Sequence, residues 1–490
     1  MRFILMTHRY LAVAVGLLMT LWCLSGFVMM YQDFPEVSAE ERLHGLKPLN
    51  LESCCTLGDF KPHEETPLGN FRIEMLSGQP VLRLPATPSS AATVINLNSG
   101  KTLTPLSEQQ VRQVALDFAS GNGWAGEATL LGTVDTDQWS LQTARRNSPA
   151  WHVAINDGAG TELYINGSTG EVFQQTNRRE RILSWFGAIP HWLYPSMLRM
   201  NAALWTQVVI WTSVLGSFLA ATGLWIGVQR IGHKPGHISP YKRVWYWHHI
   251  SGLVFGVLTL TWVFSGLLTM NPWGWLSGSS DEARQYQREL GGQPCWADLY
   301  RVLDSIHTQS HQFAEQSGLV QITPGAFAQQ PHVLGNSAQG SSVRYNTSGQ
   351  RTALAQNEIE QAVQNLGVAL LSSGLLHSED AYYYGHKREV ALPVYRALLD
   401  DAQQTRLYIN PETGQVRSVD GIRRLSRWFR SGLHDFDFAL IRARPVWDIV
   451  VILLLAGVTL VCATGTVMAF RRVRRDFMAL GSRRRVPGRN

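Results

Sequence analysis

The chain has 490 residues, 45 % hydrophobic and 16 % charged, with 43 basic and 37 acidic side chains for a formal net charge of +6. A mean hydropathy close to zero conceals four apolar spans and two large polar segments, which excludes a uniformly soluble chain. The basic excess sits in short stretches beside the spans, where it anchors to membrane lipid, and this argues against nucleic-acid binding.

The spans run over 10–30, 204–228, 250–270 and 446–470. Each is long enough to cross about 30 Å of hydrocarbon at about 1.5 Å per residue. The first is expected to be a retained helix rather than a signal peptide. Its apolar run exceeds a typical h-region, and no A-x-A site precedes Tyr31-Gln32-Asp33. The predicted organisation is a cytoplasmic start and first helix at 1–30, a polar segment at 31–200, and a second helix at 201–229. A cytoplasmic loop at 230–244, a third helix at 245–270, a polar segment at 271–445, a fourth helix at 446–470 and a basic tail at 471–490 follow.

In the first polar segment, Ser107 caps a helix that continues through Val111, Val114, Leu116 and Phe118. Strands are predicted at 151–155, 162–166 and 171–173, with a turn at 167–170. The second polar segment repeats the order: a helix over 358–371, strands at 394–398, 407–410 and 415–416, and a Pro411 to Gly414 turn. Both segments read as small α+β domains. Neither carries a nucleophile with a base, a P-loop or a clustered thiol site, which points to recognition or placement. The chain has no Gly-x-Gly-x-x-Gly strand–helix unit, so NAD(P)H binding is not expected.

Arg2 and Arg9 precede or open the first span. Arg230, Lys234, Lys242 and Arg243 lie in the short loop, and Arg471, Arg472, Arg474, Arg475 and Arg483 to Arg485 lie in the tail, where Asp476 is the sole carboxylate. The positive-inside rule places both termini in the cytoplasm of a bacterial inner membrane and both polar segments in the periplasm. Cys23 and Cys462 fall inside helices as packing residues. Cys54, Cys55 and Cys295 would meet an oxidising compartment, which leaves room for one bridge from Cys54 or Cys55 to Cys295.

The chain also repeats itself at intervals of 240 to 244 residues. His8-Arg9-Tyr10 and an apolar run ending Trp22-Cys23-Leu24-Ser25-Gly26 return as His248-His249-Ile250 and a run ending Trp262-Val263-Phe264-Ser265-Gly266. Trp185-Phe186 and His191 return as Trp428-Phe429 and His434. Leu-Tyr-Ile-Asn at 163–166 with Thr169-Gly170 returns at 407–410 with Thr413-Gly414. His8 and His248 start helices at the inner face, and His191 and His434 precede helices at the outer face. Alone, each is most simply an interfacial residue of an aromatic belt. Recurrence at matching depth favours paired ligands for a membrane-embedded metal. Neutral imidazole is a strong axial ligand for haem iron, and two histidines from different helices can clamp one haem. The expectation is two haem b groups, one held by His8 and His248 and the other by His191 and His434. His249 competes for the inner site but aligns with Arg9 in the repeat.

Around these histidines, Asp435 and Asp437 are candidates to orient His434. Arg199, Arg423, Arg424, Arg427, Arg430, Arg442 and Arg444 are candidates for haem propionates, an anionic substrate or lipid head groups. Ser25-Gly26, Ser265-Gly266, Gly16 and Gly256 offer thin helix faces for a flat macrocycle or for helix packing. Met197, Met200 and Met270 are alternative outer ligands. His233, His237, His377 and His386 read as incidental.

Taken together, the His-aromatic starts and Trp-x-x-Ser-Gly ends of helices 1 and 3, Leu433-His434, Thr222-Gly223, Thr464-Gly465 and the two Leu-Tyr-Ile-Asn-x-x-Thr-Gly hairpins resemble the PepSY-associated transmembrane family. That family includes ferric-siderophore reductases. The resemblance covers nearly the whole chain, with one departure, Pro190-His191 in place of a Leu-His order. It implies an α-helical membrane protein of four transmembrane helices in two tandem repeats, with two periplasmic PepSY-like α+β domains. It further implies haem-dependent electron delivery to a ferric siderophore, with the donor a quinol or a flavin reductase. The rival expectations are a non-redox siderophore-binding or transport component and a membrane-anchored PepSY-type peptidase regulator.

Overall fold

The computed structural model describes residues 2–483 except 53, 59–62, 67–68, 88–90, 142, 144–146, 233–237, 277, 293, 309–317 and 386–389. His233, Lys234, His237, His386, Arg484 and Arg485 therefore lie outside the described residues. The chain divides into two compact units. One holds Met1–Phe34, Glu180–Ser277 and Leu425–Asn490, the other Pro35–Arg179 and Gly278–Arg424.

The first unit is built on four helices long and apolar enough to cross a membrane: Arg2–Met29, Ala202–Gln229, Val244–Thr269 and Val446–Arg483. In hydrocarbon every backbone N–H must find its acceptor within the chain, and a continuous helix satisfies that requirement. The first helix packs on the second and fourth, and the third packs on the second and fourth, closing a four-membered ring. Met19, Cys23, Val451, Leu455, Val458 and Cys462 form its interior. Leu17, Leu21, Val254, Val257 and Leu453 stay exposed on the outside, as lipid-facing side chains do.

Two boundaries differ from the sequence expectation. The fourth helix does not stop at 470 but continues to Arg483. Arginine is a good helix former, and Arg472 pairs with Asp476 one turn on at 2.9 Å, so nothing local ends the helix. The stretch from Glu180, expected in the first polar domain, belongs to the helical unit. There it forms the short helices Arg178–Phe186, Ala188–His191 and Ser196–Arg199.

The second unit contains fourteen strands among its described residues. These are β1 (Arg72–Leu76), β2 (Gln79–Leu84), β3 (Thr93–Asn96), β4 (Ala128–Val134), β5 (Ala150–Ile155), β6 (Thr161–Asn166) and β7 (Val172–Thr176), then β8 (Leu319–Phe327), β9 (Gln330–Ser337), β10 (Ser342–Asn346), β11 (Leu370–Leu376), β12 (Val394–Leu399), β13 (Arg406–Ile409) and β14 (Val416–Val419). Each polar segment keeps its own four-stranded antiparallel sheet, β4-β5-β6-β7 and β11-β12-β13-β14. The remaining strands join into one six-stranded sheet of order β10-β9-β8-β1-β2-β3. The join is β1 against β8, with Ile73 opposite Ile322 and Glu74 opposite Gln321. Sequence reading had no means to see this union, because it pairs residues about 250 apart.

A buried polar chain crosses the join. Arg83 donates to Glu74 at 2.5 Å, Gln321 donates to the same carboxylate at 2.8 Å, and Asn336 donates to Gln321 at 2.9 Å. Buried polar groups with matched partners penalise any slipped register.

Local rules account for the smaller elements. Ser107 and Gln110 cap the helix Glu108–Gly121 reciprocally. Its counterpart ends at Gln364, not at 371, because Gly367 turns the chain at φ 70° and Leu370 opens β11. The cysteine expectation is also corrected. No bridge from Cys54 or Cys55 to Cys295 is formed: Cys295 is free, with its Sγ 3.3 Å from an Asp298 carboxylate oxygen.

Candidate metal centres among the spanning helices

The four repeated histidines come together in two pairs. His8 on the first helix faces His248 on the third, with ring centres 6.4 Å apart and planes tilted by 42°. His191 faces His434 at 6.3 Å and 55°. The departure Pro190-His191 therefore does not remove His191 from its partner.

The backbone turns sharply beside the second pair. His434 closely follows a π-helical turn, Trp428–Gly432, a distortion that recurs at functional sites. Two residues after each histidine, Leu193 and Phe436 adopt positive φ of 51° and 54°. Bulky residues pay roughly 1–2 kcal/mol for that conformation, and here it recurs at repeat-equivalent positions.

Each ring is held the same way. His8 Nδ1 lies 3.1 Å from the Leu219 carbonyl and 3.3 Å from Thr222 Oγ1. His248 Nδ1 lies 3.1 Å from both the Val461 carbonyl and Thr464 Oγ1. His191 Nδ1 lies 3.0 Å from Ser25 Oγ and 3.2 Å from the Trp22 carbonyl. His434 Nδ1 lies 3.2 Å from Ser265 Oγ. A carbonyl can only accept, so at the first three sites Nδ1 carries the proton. At the fourth, Ser265 already donates to the Trp262 carbonyl at 2.9 Å, and its oxygen is left to accept. All four rings are thereby fixed in one tautomer, with the lone pair on Nε2.

Three glycines complete these cradles. A Cβ on Gly223 would come within 2.7 Å of His8 Cε1, on Gly465 within 3.1 Å of His248, and on Gly266 within 3.2 Å of His434. Gly16, Gly256 and Gly26 serve differently from the thin faces expected of them. Their nearest neighbours are Thr466, Leu224 and Leu455, so they let helices approach one another.

His249 is not free to compete. Its Nε2 donates to the Gly227 carbonyl at 2.9 Å and its Nδ1 accepts from Ser239 at 2.8 Å, tying the short loop to the helix ends. The orienting role expected of Asp435 and Asp437 falls to the Ser265 hydroxyl. Asp437 is buried with its carboxylate 3.9 Å from Arg427, and the Asp435 carbonyl accepts the Trp447 indole at 2.9 Å. Met197 and Met200 are exposed, and Met270 caps the third helix.

The arginines divide. Arg199 stacks over Tyr194 and Trp205, Arg427 over Trp428, and Arg444 over Tyr31 and Trp447. Arg423 and Arg424 instead donate to carbonyls of the sheet unit, those of Ser418, Gln403 and Gln404. His377 is exposed beyond the end of β11.

Two facing imidazoles can hold one metal ion. At about 2 Å per metal–nitrogen bond and about 1 Å from each nitrogen to its ring centre, a linear pair spans about 6 Å between ring centres. Both observed separations match. Among the described residues no group of three or more His, Cys, Asp or Glu side chains is placed to hold a metal. An ion between either pair would take its other donors from a non-protein ligand, and a tetrapyrrole supplies four in one plane. The buried indole nitrogens of Trp22 and Trp262, at repeat-equivalent positions, have no acceptor among the described residues, so the interior also offers donors to a guest.

In the sequence Thr222-Gly223 and Thr464-Gly465 stand out only as motif features; their contact with the rings emerges from the fold. The signal was present: each spanning helix carries a hydroxyl residue followed by glycine, at 25–26, 222–223, 265–266 and 464–465. Compared with known proteins, the chain matches no family model, no curated protein and no solved structure.

Proposed function

We propose that this chain is a membrane-embedded electron-transfer protein that binds two haem b groups and passes electrons to a ferric chelate. The observation that carries the reading is the pair of closely spaced imidazole couples, each ring pinned through Nδ1 so that its lone pair stays on Nε2. Bound haem would supply a one-electron iron couple. His8 with His248 and His191 with His434 would hold the two haem irons. Leu219, Thr222, Val461, Thr464, Trp22, Ser25 and Ser265 hold the rings so that ligand basicity and orientation stay constant between oxidation states.

The charge pattern supports both termini in the cytoplasm of a bacterial inner membrane, with the sheet unit in the periplasm. The substrate class, a ferric siderophore, comes from the motif resemblance. Its chemistry is coherent: hard oxygen chelators hold Fe(III) far more tightly than Fe(II), so reduction releases the metal. The electron donor would be a quinol or a flavin reductase. The non-redox transport and peptidase-regulator readings leave four pinned imidazoles without a task.

The test is a visible spectrum of detergent-purified protein, oxidised and reduced, with pyridine haemochrome quantification. Two low-spin haems per chain, reoxidised by a ferric siderophore, are expected. Protein without haem after expression with ample haem supply would overturn the proposal.

A further inference from the structure

The two cysteines read as packing residues occupy an unusual place. Cys23 Sγ and Cys462 Sγ lie 3.7 Å apart, both buried, across the contact between the first and fourth spanning helices. Each is the chain neighbour of a residue that grips a different histidine pair. Cys23 is peptide-bonded to Trp22, whose carbonyl accepts from His191 at 3.2 Å. Cys462 is peptide-bonded to Val461, whose carbonyl accepts from His248 at 3.1 Å. A line of covalent bonds, two hydrogen bonds and one sulfur–sulfur contact thus runs from a ligand of one pair to a ligand of the other.

The distance to be bridged is long. His8 and Ser25, which mark the two layers on the first helix, are 17 residues apart, as are His248 and Ser265 on the third, or about 25 Å along a helix axis. Electron tunnelling decays less steeply through bonds than through space, so a route with one short nonbonded step is favoured. Sulfur is the most polarisable atom that a side chain can place at that step.

The internal repeat supplies a control. The equivalents of Cys23 and Cys462 are Val263 and Ala220. Their neighbours make the matching grips: Trp262 through Ser265 on His434, and Leu219 on His8. The scaffold is duplicated, and the sulfur contact stands on one side only. The same side carries a second polar contact, Thr20 Oγ1 to Thr466 Oγ1 at 2.8 Å. Simple packing does not call for cysteine, since valine and alanine fill the equivalent places.

We propose that the Cys23–Cys462 contact is the bridge by which electrons cross between the two histidine pairs. No bond forms or breaks in this step. One electron leaves one iron and arrives at the other, and both thiols stay protonated and reduced throughout. The inference rests on the two-haem reading.

The experiment uses the full-length, haem-loaded protein and its Cys23→Val, Cys462→Ala and double variants, which copy the other side of the repeat. An electron is injected by flash photoreduction, and its redistribution between the two haems is followed through their α-bands. Haem content and band positions should be unchanged, while the transfer rate falls several-fold in each single variant and no further in the double. Two haems with an unchanged rate would overturn the bridge, leaving direct passage between macrocycles. A wild-type chain without haem would instead overturn the parent reading.

A second readout needs no haem. Copper-phenanthroline oxidation, followed by cleavage at a protease site placed in the 230–243 loop, should leave the two halves joined on a non-reducing gel in the wild type and separate in Cys23→Val. Failure to cross-link the wild type would overturn the contact itself.

Discussion

Both units contain recurring segments, yet the recurrences mean different things. In the sheet unit the Leu-Tyr-Ile-Asn-x-x-Thr-Gly hairpins are accounted for residue by residue. Leu163, Ile165, Leu407 and Ile409 are fully buried. Tyr164 donates to Asp137 at 2.6 Å and Tyr408 to Asp380 at 2.8 Å. Asn166 Oδ1 accepts from the Ser168 and Thr169 amides, and Asn410 Oδ1 from those of Glu412 and Thr413. Gly170 and Gly414 take positive φ of 70° and 72°, which a Cβ would oppose. The side-chain oxygens of this motif are spent on the fold.

In the helical unit the duplicated histidines use Nδ1 on the fold and hold Nε2 in reserve. Duplication alone therefore does not mark function. What distinguishes the regions is whether the repeated polar atoms are used up by the structure.

The largest effect should come from breaking a pair. If the two rings hold one haem between them, His8→Ala or His248→Ala should each remove about half of the bound haem, as read by pyridine haemochrome, because only one imidazole is then left to hold that iron. His249→Ala, one residue away, should keep the full haem content. If His249→Ala lost haem and His248→Ala did not, the contrast between pinned and spent nitrogens would fail.

A smaller effect should follow from disturbing a cradle. Thr222→Val or Thr464→Val removes one acceptor from Nδ1–H, which makes the imidazole a poorer donor to iron and favours the reduced state. Potentiometry should show one midpoint rising while the other stays put. Gly223→Ala should also displace the His8 ring, given the 2.7 Å approach its Cβ would make.

On the other side of the comparison, Asn166→Ala or Asn410→Ala should cost about 1–2 kcal/mol, since each removes two side-chain-to-backbone hydrogen bonds in a turn. Calorimetry should record a lower Tm, with both haem bands unmoved. A shifted haem band would show that the hairpins do more than fold.

The smallest effect is a pH dependence in the sheet unit. Burial alone would raise the Glu171 carboxyl, but the paired Arg72 guanidinium, with Arg83 and Arg42 behind it, holds it below the usual carboxylate range. A depressed folded pKa contributes stability above the unfolded value of about 4.3, and that contribution is lost as pH falls through the folded pKa. Thermal stability of the full chain should therefore fall below about pH 4.3, and Glu171→Gln should flatten that slope.

What was legible in the chain was local. The presence of four apolar spans, the Ser107 cap and the Pro411 to Gly414 turn depend on residues within a few positions of one another, and each appears where it was expected. The helix over 358–371 was overextended because its apolar period continues into β11 while a single glycine turns the chain. Cysteine spacing carries no information about which thiols meet.

By itself the sequence determined that four segments are long and apolar enough to cross a membrane, and that four histidines recur in similar settings about 240 residues apart. Only the tertiary structure decided which ring nitrogens are consumed, that His248 faces His8 while His249 ties down a loop, and that β1 joins β8 across the two polar segments. The reason is physical. Span length and periodicity are carried by covalent neighbours, whereas the partner of a ring nitrogen is set by how helices hundreds of residues apart pack. No local pattern encodes the orientation of a side chain around that contact.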